Sequence, residues 1–314
     1  MNIVITGAEG FIGRHLARFL AERRENVIGT YFDENDLIHL KKIPDVEAVF
    51  CDVRNKKNVE EIIRKYRPEF IYHLAAQSRP TDSIKDPWTT METNVTGTLN
   101  IFEVVKQLKL DTKIFVACSS SQYGIQENRP IDETYPFHPT TVYAVSKIAA
   151  DMLAYQYFTS YGIKCIRGRL FNTTGPGKLR DATGDFATQI VEIEKGRREP
   201  NIYVGNLSPL RSISDVRDMV RAIVLCTEKG KDGEAYNLCS GYKPVSMKQV
   251  LDTLISLSTE KDKIKIIEDE KRFRPVDEPV IWGDNSKLRA LGWKPNIPLE
   301  QTLNDVLDYF RMCL

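Results

Sequence analysis

The stretch from Asn2 to Arg23 narrows the possible folds more than any other part of this chain. Ile3-Val4-Ile5 reads as a short buried strand. Thr6-Gly7-Ala8-Glu9-Gly10-Phe11-Ile12-Gly13 reads as a turn with a glycine at every third position, and Gly13–Arg23 as an amphipathic helix. Strand, glycine turn and helix in that order open a parallel sheet wrapped by helices. They also set the unbonded N–H groups of a helix start beside a backbone that a pyrophosphate can approach closely. A glycine turn without a ligand is the plain alternative, but the strand before it and the helix after it favour the phosphate reading.

The rest of the first half repeats the alternation. Strands are expected at Asn2–Thr6, Asn26–Tyr31, Val46–Cys51, Glu69–Ala75, Thr112–Cys118 and Lys164–Arg169, with helices at Lys56–Tyr66, Thr93–Leu108 and Thr140–Tyr161. In the last helix, Ala149, Met152, Leu153 and Gln156 follow helical spacing and are read as packing surface. After Leu170 the texture changes: Asn172–Gly177 is rich in Asn, Thr, Gly and Pro, as where a chain leaves a sheet to build a binding loop. Helices are expected again at Asp185–Lys195, Val216–Glu228, Ser246–Ser256 and Leu299–Phe310. A Rossmann-type, doubly wound parallel sheet over 1–170, rejoined by about 213–240, is therefore expected. A smaller C-terminal α/β substrate-binding domain over 171–314 would cap the sheet's carboxyl edge, where open α/β sheets bind ligands.

Charge and cysteine usage exclude several classes. Lys and Arg number 44 against 43 Asp and Glu, which points to neither a nucleic acid nor a membrane surface as partner. No apolar run approaches the ~20 residues of a membrane span. The chain enters its first strand without a basic, apolar leader, so no signal peptide is expected. Cys51, Cys118, Cys165, Cys226, Cys239 and Cys313 are scattered, without C-x-x-C or a His at ligand spacing. That predicts no metal and no disulfide framework, but free thiols in the cytoplasm.

Cofactor choice turns on the end of the second strand, where an acid would bind a ribose 2′-hydroxyl and an Arg a 2′-phosphate. Gly29-Thr30-Tyr31-Phe32 is neither, Asp33 comes late, and Arg14 opens the first helix. The balance tips to NADP(H) over NAD(H). Asp52-Val53, after the third strand, is expected at the adenine, although an Asp there can equally cap the next helix.

Tyr143-Ala144-Val145-Ser146-Lys147 places a phenol and an ammonium on one helical face. A free phenol near pKa ~10 is a poor acid–base at neutral pH, and a neighbouring cation favours the phenolate. Of 13 tyrosines only Tyr143 has a Lys at the fourth following position. Ser119-Ser120-Ser121 closes the fifth strand at the sheet edge, and Asn94 opens the intervening helix either as an N-cap or as a water relay.

Thr6–Gly13, His73-Leu74-Ala75-Ala76-Gln77, Asn94-Val95-Thr96-Gly97-Thr98, Ser119–Gly124 and Tyr143–Lys147 together resemble the extended short-chain dehydrogenase/reductases, most of which act on nucleotide-diphosphate sugars. The resemblance implies Ser119 as partner of the substrate oxygen, Tyr143 as acid–base and Lys147 as its tuner and ribose ligand. Gly7, Gly10, Phe11, Ile12, Gly13, Tyr31, Asp52, Val53, Leu74, Ala75, Ala76 and Asn94 complete the expected cofactor contacts. Asn172–Gly177, Val204-Gly205-Asn206-Leu207, Arg211, Arg274-Pro275 and Gly292-Trp293-Lys294-Pro295 are most similar to the GDP-mannose branch, its 4,6-dehydratases and GDP-4-keto-6-deoxymannose reductases. Gln77, Ser120, Ser121, Gln122, Asn172, Asn206, Arg211 and Arg274 are the expected contacts to a GDP-linked or other nucleotide-linked hexose. Arg suits phosphate oxygens through bidentate pairing, with a surface ion pair as the plain alternative.

Dehydratases of this kind carry a carboxylate at the position of Ser121 and sometimes of Ser120, and the epimerising GDP-fucose synthases a Cys there. Serine can do neither job at neutral pH. Chemistry needing only a hydride and one proton at C4 survives. The expectation is NAD(P)H-dependent reduction of GDP-4-keto-6-deoxymannose to GDP-rhamnose. C4 epimerase or dehydrogenase, 4,6-dehydratase with Gln122 or a bound water as acid–base, and a non-catalytic sensor are the rivals. The resemblance also implies a homodimer through a four-helix bundle built by the Asn94 and Tyr143 helices. Of His15, His39, His73 and His138, none is assigned to catalysis, and His73 is read as structural.

Overall fold

The computed structural model describes residues 1–314 except Arg180 and 274–277. Its main sheet is built from β1 (Asn2–Thr6), β2 (Asn26–Tyr31), β3 (Val46–Phe50), β4 (Phe70–His73), β5 (Lys113–Ser119), β6 (Cys165–Leu170) and β7 (Ala235–Leu238). The strands lie in the order β7-β6-β5-β4-β1-β2-β3, and every pairing is parallel. Parallel strands must be covered on both faces, and β1 shows how the sequence arranges it. Ile3 and Ile5 join Leu16, Ala17 and Leu20 of α1 (Phe11–Glu22) in one core. Val4 points the other way, to Ile62 and Ile63 of α2 (Lys56–Tyr66) and Ile101 and Val105 of α3 (Gly97–Gln107). Ala150 and Ala154 of α4 (Val142–Tyr161) complete that second core. Each such Val, Leu or Ile side chain contributes ~1.5–3 kcal/mol on burial.

After β6 the chain crosses to a third core. It packs helices Ala182–Glu194, Met247–Ser256 and Leu299–Cys313 beside the parallel pair Asn201–Val204 and Lys265–Glu268. Between these pieces α5 (Val216–Lys229) and β7 return to the main sheet, α5 adding Met219, Val220 and Ile223 to the α1 side. The order of strands reverses between β1 and β4. A cleft opens there at their carboxyl ends, as expected of a doubly wound sheet.

Two readings of the helices need correction. On α4 the buried residues are Tyr143, Ala144, Ser146, Lys147, Ala150, Asp151, Ala154 and Tyr157, whereas Met152 is 39% exposed and Gln156 is exposed. Leu153 packs against the second core as expected, but the helix also buries a polar stripe and leaves Met152 and Gln156 outside, so apolar spacing marks only part of the packed face. The expected Thr93–Leu108 helix is broken at its start by a π-helical turn, Glu92–Thr96. Such turns re-aim side chains at functional sites, and this one carries Asn94 inward.

Candidate active site

The glycine loop is tight for reasons of backbone contact. Gly7 has φ +68°, and a Cβ there would lie 2.7 Å from the Cα of Ala75. A Cβ on Gly13 would lie 2.2 Å from the carbonyl oxygen of Gly7 and 2.7 Å from the Cα of Ala8. Helix α1 starts at Gly10 with no side chain capping it and no acid in its first turn. A helix start left without a cap or counter-acid fits an anionic diphosphate, so these residues suit a dinucleotide. Gly13→Ala is expected to weaken dinucleotide binding and lower stability by ~1–3 kcal/mol, because the methyl overpacks backbone that cannot shift cheaply. Isothermal titration and urea unfolding of the variant check both.

Gly7, Gly10, Phe11, Ile12, Gly13, Asp52, Val53, Leu74, Ala75, Ala76 and Gln77 line one cleft of about 690 Å³ with Ser119, Ser120, Ser121, Tyr143, Lys147, Asn172 and Arg211. Asn172 and Arg211 also line an adjoining cavity of about 410 Å³, where Asn206 lies with Asp185, Phe186 and Arg272. Arg211 Nη1 donates to the carbonyls of Leu210 (3.0 Å) and Glu278 (2.7 Å). Arg274 and Pro275 lie outside the described residues. Asp52 lines the cleft paired with Arg54, whose Nε and Nη2 donate at 2.9 and 2.8 Å. The cap of α2 is Asn55 instead.

Three expected contacts fall elsewhere. The ring of Tyr31 turns to the α1 side of the sheet and packs on Phe50 at 5.9 Å. Strand alternation sends it there, and Phe32 faces the cleft in its place, with the Arg54 guanidinium 5.0 Å from its ring centre. Asn94, 2% exposed, is neither an N-cap nor part of the cleft wall. It accepts from the Gln77 N–H at 2.8 Å and donates to the Gln77 carbonyl (3.0 Å) and Ser146 Oγ (2.9 Å), pinning the loop after β4 to α4. Gln122 is 0% exposed and both ends of its amide are used: Oε1 accepts from Ser119 N (2.9 Å), and Nε2 donates to Asp151 Oδ2 (3.0 Å). It holds the turn, and it is removed as a substrate contact. Arg14, the ground for a 2′-phosphate, donates to the Gly177 carbonyl and is absent from the cleft wall.

Tyr143 and Lys147 share the buried face of α4. Thr141 caps that helix by accepting from Ala144 N at 3.2 Å, and Ser83 Oγ accepts from Tyr143 N at 3.1 Å. Lys147 Nζ lies 5.9 Å from the Tyr143 ring centre and donates to the Ala117 carbonyl at 2.8 Å. Burial pushes the Lys147 ammonium down to about 8. Burial pushes the Tyr143 phenol up, against a hydrogen bond with Ser119 that pulls it down. In the free protein the phenol is therefore held neutral; the lowering expected from Lys147 acting with an oxidised nicotinamide concerns the cofactor-bound enzyme. Ser119 Oγ accepts from both the N–H (3.2 Å) and the hydroxyl (2.9 Å) of Ser121, which leaves its own proton for a further acceptor. His73 braces the floor, with Nδ1 2.8 Å from Thr6 Oγ1 and Nε2 3.1 Å from Thr98 Oγ1; burial takes it down to about 3, hence neutral.

A family model described as GDP-mannose 4,6 dehydratase matches residues 4–306. The chain belongs to this family. Among its relatives, the GDP-6-deoxy-D-mannose reductase of Pseudomonas aeruginosa is 27% identical over 98% of this chain and 96% of the relative. A GDP-mannose 4,6-dehydratase of Vibrio cholerae is 29% identical over 97% and 92%. The fold is shared with RMD from Pseudomonas aeruginosa complexed with NADPH (TM-score 0.84, 26% identity, 100% and 99% covered). It is shared equally with the Thermus thermophilus UDP-glucose 4-epimerase complexed with NAD (0.86, 26%, 100% and 100%). As a member of the GDP-mannose 4,6-dehydratase family, the chain is an NAD(P)-dependent nucleotide-sugar enzyme of the extended short-chain dehydrogenase type. No helix among the described residues is long and apolar enough to cross a membrane.

Sequence reasoning missed Glu9, Phe32, Arg54 and Lys178, all of which line the cleft. Lys178 Nζ sits 4.6 Å from the Phe11 ring centre, and burial lowers its pKa. The readable signal was Glu9, an acid inside a glycine loop of the kind that suits a phosphate.

Proposed function

We propose that this enzyme reduces the 4-keto group of a GDP-4-keto-6-deoxyhexose, converting GDP-4-keto-6-deoxymannose to GDP-rhamnose. The observation that carries the reading is the turn after β5. It brings only hydroxyls, Ser119, Ser120 and Ser121, to the cleft beside Tyr143, and no carboxylate for water loss. Gln122, buried and absent from the cleft wall, offers no dehydratase acid–base on that turn.

A bound reduced nicotinamide supplies the hydride. With the sugar bound, Ser119 turns the proton it shares with Tyr143 to the C4 oxygen and holds it. Tyr143, kept neutral by burial, hands its phenolic proton to that oxygen as it becomes an alkoxide, so the carbonyl gains one hydride and one proton. Lys147, with one of its three donors on Ala117, offers the others to a ribose hydroxyl. Asn172 and Arg211 line the route to the adjoining cavity, whose wall holds Asn206 and which we assign to the nucleotide.

Lys147 must be charged to donate in this way, and its proton is lost near pH 8. The expected result is a kcat/KM that falls as pH rises through about 8, and a Lys147→Met variant whose slower rate lacks that limb. A stopped-flow pH profile checks it.

The reaction itself is tested by NADH and NADPH oxidation against GDP- and dTDP-linked 4-keto sugars. Loss of water from GDP-mannose, read by mass spectrometry, would replace this reading with the dehydratase. A C4 epimerase is the second reading, because the fold is shared with a UDP-glucose 4-epimerase and the hydroxyl-only turn of this chain suits hydride and proton transfer at C4. Such an enzyme keeps its cofactor, so nucleotide released from the purified protein by acid separates the two.

We further infer that 1–170, rejoined by the α5–β7 return, form the cofactor domain, and that the third core belongs to a substrate domain. Val145, Met152 and Tyr155, exposed on α4, support a homodimer through the four-helix face. Five buried free thiols, with Cys313 exposed, support a cytoplasmic setting.

A further inference from the structure

We propose that Glu9 sets the cofactor preference of this enzyme toward NAD(H) and against NADP(H). The inference rests on nicotinamide-dinucleotide binding, not on the sugar reaction proposed above. Glu9 stands between the first two glycines of the loop, and its Oε1 accepts the N–H of Phe32 at 3.1 Å. The carboxylate therefore ties the loop to the first residue beyond β2. In a doubly wound sheet this is where the adenosine ribose of a dinucleotide lies.

The other oxygen, Oε2, is buried and has no hydrogen-bond partner among the described residues. A buried carboxylate oxygen without a donor is costly, and a ribose hydroxyl is a donor. Burial raises the Glu9 pKa, with Asp36 and Asp33 adding to the rise against backbone N–H groups of Glu9 and Phe32. Asp36 and Asp33 thus act on Glu9 as like charges.

The two arginines nearest this end are already engaged, although Arg54 lines the same wall. Arg54 is held bidentate by Asp52, at 2.9 and 2.8 Å, and Arg14 is turned to the Gly177 carbonyl. Glu9 and Asp36 both line this part of the cleft. A phosphate dianion would meet two carboxylates, whereas a ribose hydroxyl would complete the bonding of one. Discrimination then comes as much from repelling the wrong cofactor as from fitting the right one. Relatives of the same fold have been seen with NADPH and with NAD, so fold alone leaves the choice open.

The test is calorimetric titration of the full-length protein, without sugar, using NADH, NADPH, ADP-ribose and 2′-phospho-ADP-ribose. NADH is expected to bind about tenfold tighter or more than NADPH, a gap of ~1.4 kcal/mol. The ADP-ribose pair should show the same ratio, which places discrimination at the adenosine end. Glu9→Gln keeps the shape and removes the charge. It should narrow the ratio mainly by tightening NADPH, with its melting temperature as a check on folding. Equal or tighter NADPH binding by the unaltered protein, a ratio that vanishes with the ADP-ribose pair, or a ratio unchanged in a folded Glu9→Gln protein would each overturn the proposal.

Discussion

Replacing Tyr143 with Phe is expected to lower kcat by about 10²–10⁴, the range lost with a positioned proton donor, and to leave cofactor affinity nearly unchanged. The substitution removes one hydroxyl and little else. The ring stays, Thr141 still caps α4, and Ser83 still receives the backbone N–H at position 143. The missing atom is the one that burial keeps protonated and that Ser119 contacts. Water cannot readily stand in, because the residue is buried and the neighbouring ammonium is fixed to the Ala117 carbonyl.

Turnover at saturating sugar and cofactor, with calorimetry for the cofactor, separates lost chemistry from lost binding. A fall of less than about tenfold would take proton transfer away from Tyr143. Ser119→Ala should cost less: it removes a donor to the same oxygen and frees the Ser121 hydroxyl from its 2.9 Å bond, so part of the loss is recoverable.

The sheet was legible because its strands are buried on both faces. Ile3-Val4-Ile5 can only be a core strand when Ile3 and Ile5 face one set of helices and Val4 the other. The glycine loop was legible for a related reason: Gly7 and Gly13 leave no room for a Cβ, so the residue type records the backbone approach. Tyr143 and Lys147 could be found because their spacing on a helix is itself the chemistry. What escaped depends on direction and not on spacing. Tyr31 and Phe32 are adjacent, and only the register of β2 decides which one reaches the cleft. Asn94 was misread because a π-turn shifts its side chain away from the helix-start geometry. Gln122 looked like a substrate contact because its true partner, Asp151, lies 29 residues further along the chain. The polar stripe of α4 escaped because burial of Asp151 makes sense only once Arg167 and Arg169, two strand residues, are seen beside it.

That stripe carries the other large expected effect. Asp151 is 0% exposed, with Arg167 Nη1 at 2.6 Å from one oxygen and Arg169 Nε at 2.8 Å from the other. Burial pushes its carboxyl up, but Arg169 and Arg167 outweigh this and hold it below the ordinary value. Asp151→Ala strands two buried guanidinium groups side by side. Breaking a buried pair in this way costs ~3–5 kcal/mol, a large share of a domain's stability. The expected result is a lower urea midpoint with the slope of the transition unchanged.

The same carboxylate ties the turn through Gln122 to the Ser119 backbone, so what remains folded should also turn over more slowly, with cofactor affinity kept. Because the folded pKa is depressed, the contribution is complete above the unfolded carboxylate value of ~3.9 and fades as pH falls through the folded one. The unaltered protein should therefore lose stability on acidification faster than the variant. Unfolding curves that shift in parallel for the two proteins as pH drops below ~4 would mean that Asp151 holds no special charge in the native state.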